Sequence, residues 1–467
     1  MKAASHCYFA PQALLPEGWR TDVLLRWNDT GILQEVTPDS ERPEDVPKAK
    51  GPVIPGMTNL HSHAFQRAFA GLTEYGTGGQ DNFWSWRNKM YQFANAITPG
   101  QLEAVAAALY VEMLEAGYTG VCEFHYVHHD TDGKPYADDA TLSTAILNAS
   151  AHTGIGLTLL PVLYQTGGFG GTPPSEGQRR FIRRTENMID LLSKLAPVCR
   201  KQGARLGLAP HSLRAVPPES LKLALEGLNG IDPAAPFHIH IAEQTAEVEA
   251  CLAFHGQRPV KWLLENMPVN ERWCLIHATH MTREECEMAA RSGAVAGLCP
   301  ATEANLGDGI FDLVTWRDVG GVWGVGSDSH CTVNAAEELL ILEYGQRLKT
   351  HRRNVAAGSL HPSVATAMTT EAVSGGARAS GRPVAGLAVG QSADWVMLDA
   401  EHYLAGGLPN GETVLSAHVF ASHRQSIIDE VRVAGRPLVK QGRHAQREKL
   451  LKDFTKVRAK LLEKTHG

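Results

Sequence analysis

The 467 residues, 43% hydrophobic and 20% charged, suffice for one large domain with a full core and a smaller one beside it. The formal net charge of −6, without a basic stripe, argues against a nucleic-acid partner. Eight scattered cysteines with no CxxC pair favour buried, reduced thiols over a disulfide framework or zinc knuckle. The N-terminus lacks the apolar segment of a signal peptide and no run is long enough to span a bilayer, so a cytoplasmic protein without a membrane partner is expected.

Residues 1–54 hold short strand-like pieces (Cys7–Ala10, Thr21–Trp27, Ile32–Val36) separated by charged, proline-rich turns. From Val53 the pattern changes to eight apolar runs without clear alternation: Val53–His61, Gly120–Val127, Ile155–Tyr164, Arg205–His211, Phe237–Ala242, Trp273–His277, Ala294–Cys299 and Gly321–Ser327. Such runs fit parallel strands covered on both faces. Helical segments lie between most of them. The clearest is Thr98–Ala116, with Thr98 as N-cap, Pro99 at N1 and Gly117 just beyond the end. Others are Asp138–Thr153, Gln178–Gln202, Pro218–Leu228, Glu247–Glu265 and Thr282–Ser292.

This alternation predicts an α/β fold, a (β/α)8 TIM-like barrel over residues 55–380. Strand patterns return at Gly390–Leu398 and in the hairpin Ile427–Lys440, with its turn at Ala434–Gly435. Residues 1–54 and 381–445 are therefore expected to form a small composite β-sandwich from both chain ends. A charged helix over 446–467 closes the chain as a solvated face.

The segment PGMTNLHSH, Pro55–His63, ends the first predicted strand with two histidines two residues apart, which a strand directs to one face. In a barrel, functional side chains sit at the C-terminal strand ends. Those ends carry, in order, His61 and His63, Glu123 and His125, Tyr164, His211, His240 and Glu243, His277 and His280, Asn305, and Asp328. A core does not need that density of ligating and titratable groups, and together they predict a metal site.

PGMTNLHSH, HIHIAEQ, LIHATH and GVGSDSH, in that order, resemble the signature of the amidohydrolase superfamily, in its deaminase branch. The resemblance implies that His61, His63, His240 and Asp328 ligate one divalent metal ion, with zinc expected and iron or manganese also compatible with three histidines and a carboxylate. Binuclear members carry a carbamylated lysine in the fourth strand, whereas RLGLAPHSL has no lysine, consistent with a single ion. Such an ion lowers the pKa of water towards neutrality. Glu243, three residues after His240, is placed to give a proton to a leaving nitrogen, Asp328 to take one, and His277 to polarise the substrate. The chemistry expected is attack on a C=N or C=O carbon with loss of ammonia or an amine.

Two arginines narrow the substrate. NFWSWRNKMYQF places Arg87 among aromatics in a long loop after the first strand, and PHSLRAV puts His211 and Arg214 at the end of the fourth. Paired guanidinium groups suit a small-molecule dicarboxylate. These stretches, with EFHYVHHD and HSHAFQRAFAG, resemble the formimidoylglutamate deiminase family within the branch. That resemblance implies hydrolysis of N-formimino-L-glutamate to N-formyl-L-glutamate and ammonia in histidine degradation, with Gln66, Arg87, Tyr126, His211 and Arg214 around the substrate. Deaminases of guanine, adenosine-type nucleosides or chlorotriazines are the rival expectation; they share the metal site and do not require the arginines. Enzymes of this size suggest a homodimer.

Overall fold

The computed structural model describes residues 6–76, 83–422 and 425–465. Four strands lead in: β1 (Cys7–Leu15), β2 (Gly18–Trp27), β3 (Leu33–Thr37) and β4 (Val53–Pro55). Nine follow with helices between them: β5 (Met57–Ser62), β6 (Tyr118–His125), β7 (Gly156–Leu163), β8 (Arg205–Leu206), β9 (Ala209–Pro210), β10 (Phe237–Ile241), β11 (Trp273–His277), β12 (Val295–Leu298) and β13 (Val322–Val325). The last four are β14 (Trp395–Leu398), β15 (Ile428–Val433), β16 (Arg436–Lys440) and β17 (Arg443–His444).

The central strands form two parallel arcs, β5–β6–β7–β8 with β9 on β7, and β10–β11–β12–β13. Single parallel bridges join the arcs on both sides, Leu208 to Phe237 and Ser62 to Asp328. Every residue of β5, β6, β7, β10, β11 and β12 is buried, which explains why these strands read as unbroken apolar runs.

The run Val53–His61, expected as one strand, is two. β4 pairs antiparallel with β14 in the terminal sheet, while β5 pairs with β6. The break falls at Gly56, where a Cβ would lie 2.2 Å from the Thr119 side chain, so the chain crosses between sheets at a residue with no side chain. The fourth predicted strand is likewise split into β8 and β9.

Both chain ends meet in an eight-stranded sheet of order β17–β16–β15–β14–β4–β1–β2–β3. It is one continuous sheet in place of the two sheets of the expected sandwich. The sheet curls on itself, so that Trp27 of β2 and Trp395 of β14 make edge contact with ring centroids 5.4 Å apart.

The helices depart from expectation where a local signal was outvoted. The predicted Glu247–Glu265 helix breaks into Thr245–His255 and Pro259–Asn266, because Gly256 takes a left-handed conformation (φ 69°) and Pro259 starts the next helix. The predicted Gln178–Gln202 helix begins only at Thr185. Arg87 lies on a helix, Phe83–Ala96, where a loop was expected; it is held by burial of Met90, Phe93 and Ala94 along one face. Asn82 lies outside the described residues. A further helix, Gly411–Phe420, capped by the Asn410 side chain, interrupts the C-terminal strands.

The last helix, Arg447–Thr465, is more than a solvated face. Leu450 and Leu461 are buried, and Arg447 pairs with Glu115 at 3.0 Å. All eight cysteines are free, and no helix among the described residues is long and apolar enough to cross a membrane.

The helix Val364–Ser380 lies against the site-bearing strands through Gly375 and Gly376. A Cβ at Gly375 would stand 1.8 Å from the Trp323 carbonyl oxygen of β13, a backbone atom that cannot step aside. Gly375→Ala is expected to destabilise the protein by about 1–3 kcal/mol, the usual range for overpacking. Denaturant unfolding checks this, and a midpoint equal to that of the wild type would show that the helix shifts freely.

Candidate metal centre and active site

The strand ends bring one group of donors together. His61 is fully buried, its Nε2 lies 3.0 Å from His240 Nε2, and Asp328 Oδ1 lies 3.5 Å from His61 Nε2 and 3.3 Å from His63 Nε2. His63 Nδ1–H donates to the Phe124 carbonyl at 2.9 Å, and His240 Nδ1–H donates to the His211 carbonyl at 2.9 Å. A carbonyl can only accept, so Nδ1 carries the proton in both rings and Nε2 presents its lone pair to the cluster. Burial holds His61, His63 and His240 below the ordinary histidine range; the neighbouring imidazoles press His61 and His240 down further, and Asp328 offsets part of the effect on His63.

Lone pairs crowded this closely, with a carboxylate among them, fit a cation. Four donors arranged tetrahedrally at bond lengths of about 2.0–2.2 Å stand roughly 3.4 Å apart, close to the separations here. His61 Nδ1 is sealed from solvent without a hydrogen-bond partner, and the ring is held by packing against Phe124, His63 and His240.

The loop carrying the first two histidines is clamped. The Ala64 N–H donates to Glu123 Oε1 at 2.6 Å, and the Ser62 and Tyr110 hydroxyls donate to Oε2 at 2.6 and 3.1 Å. Burial pushes the Glu123 carboxyl up to about 7, against these three bonds. On the other side the His63 N–H donates to His330 Nε2 at 3.2 Å, and His330 Nδ1–H donates to Ser327 Oγ at 2.9 Å. Ala242, His277, Asp328 and His330 all have left-handed backbones (φ 46–65°), so the chain leaves these strands in a strained turn at each of them.

Beside the donors sits an acid–base group. His277 Nε2 is 3.8 Å from Glu243 Oε1 and 3.7 Å from Asp328 Oδ2. Burial alone would lower His277, but the surrounding carboxylates, Glu243 first, hold it above the ordinary range. Glu243 is raised by burial, with Asp328 and Glu247 adding to the effect and His277 opposing it.

One cavity is lined by every residue expected to ligate the metal, act on the substrate or hold it, except His61, which is fully buried. Next to the donors, with the Tyr126 ring 4.9 Å from that of His63, Gln66 Nε2 donates to the Tyr126 hydroxyl at 2.8 Å while the buried Gln66 Oε1 has no partner. Arg214 Nε is also buried without a partner, and the Arg87 guanidinium stands 5.4 Å over the Tyr91 ring. His211 is kept neutral by burial and by Arg214. Trp86, Tyr91, Tyr164 and Phe181 complete the apolar wall. A larger cleft of about 1170 Å³ lies at the opposite strand ends, beside Gly156 and Arg205, and holds none of the predicted residues.

His125, His280 and Asn305 are not among the residues lining the cavity. Asn305 is exposed and bonds Glu74, while Glu303, two residues earlier, is buried against His277. Glu303 and His330 escaped the sequence reading. The available signal for Glu303 was its place one turn into a helix opened by Cys299 and Pro300, just after the predicted strand Ala294–Cys299.

Residues 53–438 match the model of the amidohydrolase family. The chain belongs to that family. This amidohydrolase is similar to formimidoylglutamate deiminase of Pseudomonas aeruginosa, with 49% identity over 97% of this chain and 99% of the relative. Its structure resembles the crystal structure of an amidohydrolase from Brucella melitensis, with a TM-score of 0.91, 46% identity, and coverage of 98% of this chain and 100% of that one. It also shares its fold with atrazine chlorohydrolase from Arthrobacter aurescens TC1 complexed with zinc, with a TM-score of 0.80, 18% identity, and coverage of 97% and 100%.

Proposed function

We propose that this amidohydrolase hydrolyses N-formimino-L-glutamate to N-formyl-L-glutamate and ammonia, the deiminase step of histidine degradation. The observation that carries the reading is a cavity with two arginines, Arg87 and Arg214, among its lining residues, together with the His63, His240 and Asp328 donors. A neutral heterocycle has no use for two guanidinium groups, one with a buried, unpartnered N–H, whereas a dicarboxylate satisfies both. The similarity to the Pseudomonas aeruginosa deiminase supports the same substrate. The bridges between the two arcs support closure into a (β/α)8 barrel over residues 55–380, flanked by the sheet from 1–54 and 381–445.

In this reading His61, His63, His240 and Asp328 hold one divalent ion, most simply zinc. When bound, such an ion supplies a water nucleophile at neutral pH by lowering its pKa. Arg87 and Arg214 grip the two carboxylates, with Gln66, Tyr126 and His211 walling the substrate between them. Asp328 takes a proton from the attacking water as its oxygen bonds to the formimino carbon. His277, held above the ordinary range by its carboxylate neighbours, stabilises the charge that develops there. Glu243, whose raised pKa keeps a proton available, protonates the departing nitrogen. Asp328 then passes its proton to the same nitrogen, Glu243 takes up the hydroxyl proton as the C–N bond breaks and C=O forms, and ammonia leaves.

Ammonia release by the zinc-loaded protein with N-formimino-L-glutamate, guanine and adenosine tests the assignment. Turnover of the formimino compound alone is expected. Arg87→Ala and Arg214→Ala should each raise KM by roughly 10- to 100-fold, the worth of a hydrogen bond to a charged group. Activity on a heterocycle instead, unaffected by the arginine variants, would sink the substrate assignment and leave the hydrolytic chemistry standing.

A further inference from the structure

Behind His277, on the side away from the cavity, lies Glu303, a carboxylate the mechanism does not use. Its side chain is 4% exposed, and its Oε1 stands 3.3 Å from His277 Nδ1. The same oxygen accepts the Cys299 N–H at 2.9 Å. The opposite ring nitrogen, Nε2, faces Glu243 and Asp328. The ring is thus held through one nitrogen and presented through the other. His277 also sits in a left-handed backbone conformation (φ 65°), followed by Ala278 at φ 49°, so the chain imposes no ordinary strand geometry on the side chain.

We propose that Glu303 is a positioning residue for His277. Its carboxylate keeps the proton on Nδ1 and aims Nε2 at the reacting carbon. An acceptor on the far nitrogen fixes both the orientation and the tautomer of an imidazole, and a carboxylate in that place also supports positive charge on the ring. The bond to the Cys299 N–H explains how Glu303 is itself held: it spans the first turn of the helix Pro300–Leu306 and reaches back to that helix's N-cap. A residue serving only as a cap would affect stability and leave His277 unchanged. The proposal rests on the reading of His277 as a group that acts on the substrate.

The test uses the full-length, zinc-loaded protein with Glu303→Ala, Glu303→Gln and Glu303→Asp. Glu303→Ala should lower kcat by about 10- to 100-fold, the usual cost of losing a supporting partner of this kind, with KM within about threefold and zinc content unchanged. Glu303→Gln keeps an acceptor oxygen and should recover part of the loss. Glu303→Asp withdraws the carboxylate by one methylene and should behave like Glu303→Ala, which keeps the proposal testable if the alanine variant does not fold.

The second readout is NMR of the ¹⁵N-labelled imidazole of His277, assigned through His277→Gln. Its Nδ1–H signal should be present in the wild type and in Glu303→Gln, and lost or shifted in Glu303→Asp and Glu303→Ala. Wild-type kcat in Glu303→Ala, or an unchanged His277 signal, would overturn the proposal. If the wild type fails to release ammonia from N-formimino-L-glutamate, the functional reading falls, and the NMR signal alone still decides whether Glu303 holds the ring.

Discussion

Glu243→Gln is expected to reduce ammonia release about 1000-fold in kcat, within the 10²- to 10⁴-fold range of general acid–base catalysis, with KM nearly unchanged. The side chain is buried beside His277 and Asp328, and glutamine fills the same volume without a transferable proton. Because Glu243 is not one of the close donors around His61, bound zinc should remain at one equivalent per chain. Steady-state kinetics and metal analysis of one preparation check both halves. Activity within tenfold of the wild type would remove Glu243 from the proton path, and a parallel loss of zinc would reassign it as a ligand or its support.

Removal of the metal should have the other large effect. With the ion chelated away, the His61 and His240 Nε2 atoms are left 3.0 Å apart and the Asp328 carboxylate 3.3–3.5 Å from His63 and His61, a buried arrangement of lone pairs with no cation between them. Turnover should fall to background and return on addition of zinc. The protein should also melt at a lower temperature, because an ion present at a thousand times its Kd contributes about 4 kcal/mol to the folded state. Calorimetry with and without chelator, followed by zinc titration, reads this directly. An unchanged melting temperature together with full activity after complete stripping would exclude the donor cluster as a functional metal site.

The two effects separate because Glu243 stands beyond the strand end while the donors are fixed by several strands. The donor cluster is built on β5 and β10 with the loop after β13, and is braced by Glu123 from β6 and by His330. Glu243 lies beyond the end of β10, and its partner His277 ends β11. Substitution of Glu243 should therefore leave the donors in place, while His277 lies against both groups, its ring stacked on His240 at 5.6 Å and its Nε2 3.7 Å from Asp328.

Much of this site could be read from the chain itself, because its signals are local. Two histidines at i and i+2 on a strand must share a face. Apolar runs without alternation must be covered on both sides, and Thr98–Pro99 with Gly117 marks a helix with both ends. Order along the chain then placed His61, His63, His240, His277 and Asp328 at the same ends of successive strands. The helix Phe83–Ala96 lacked so clear a signal: its tryptophans, asparagines and Arg87 read as a loop, and burial of Met90, Phe93 and Ala94 against the rest of the protein decided otherwise.

Tertiary structure alone decided the rest. His61 and His240 are 179 residues apart in sequence and bring their Nε2 atoms to 3.0 Å only because two arcs of strands meet. No local pattern shows that Glu303 rather than Asn305 turns towards His277, that Glu123 clamps Ser62 and Ala64, or that the terminal sheet curls until Trp27 meets Trp395. The sequence determined which chemical groups stand at which strand ends, since strand and helix periods act over a few residues. Their distances, tautomers and buried partners are set by strand register and by left-handed turns at His277 and Asp328, which depend on contacts between segments far apart in the chain.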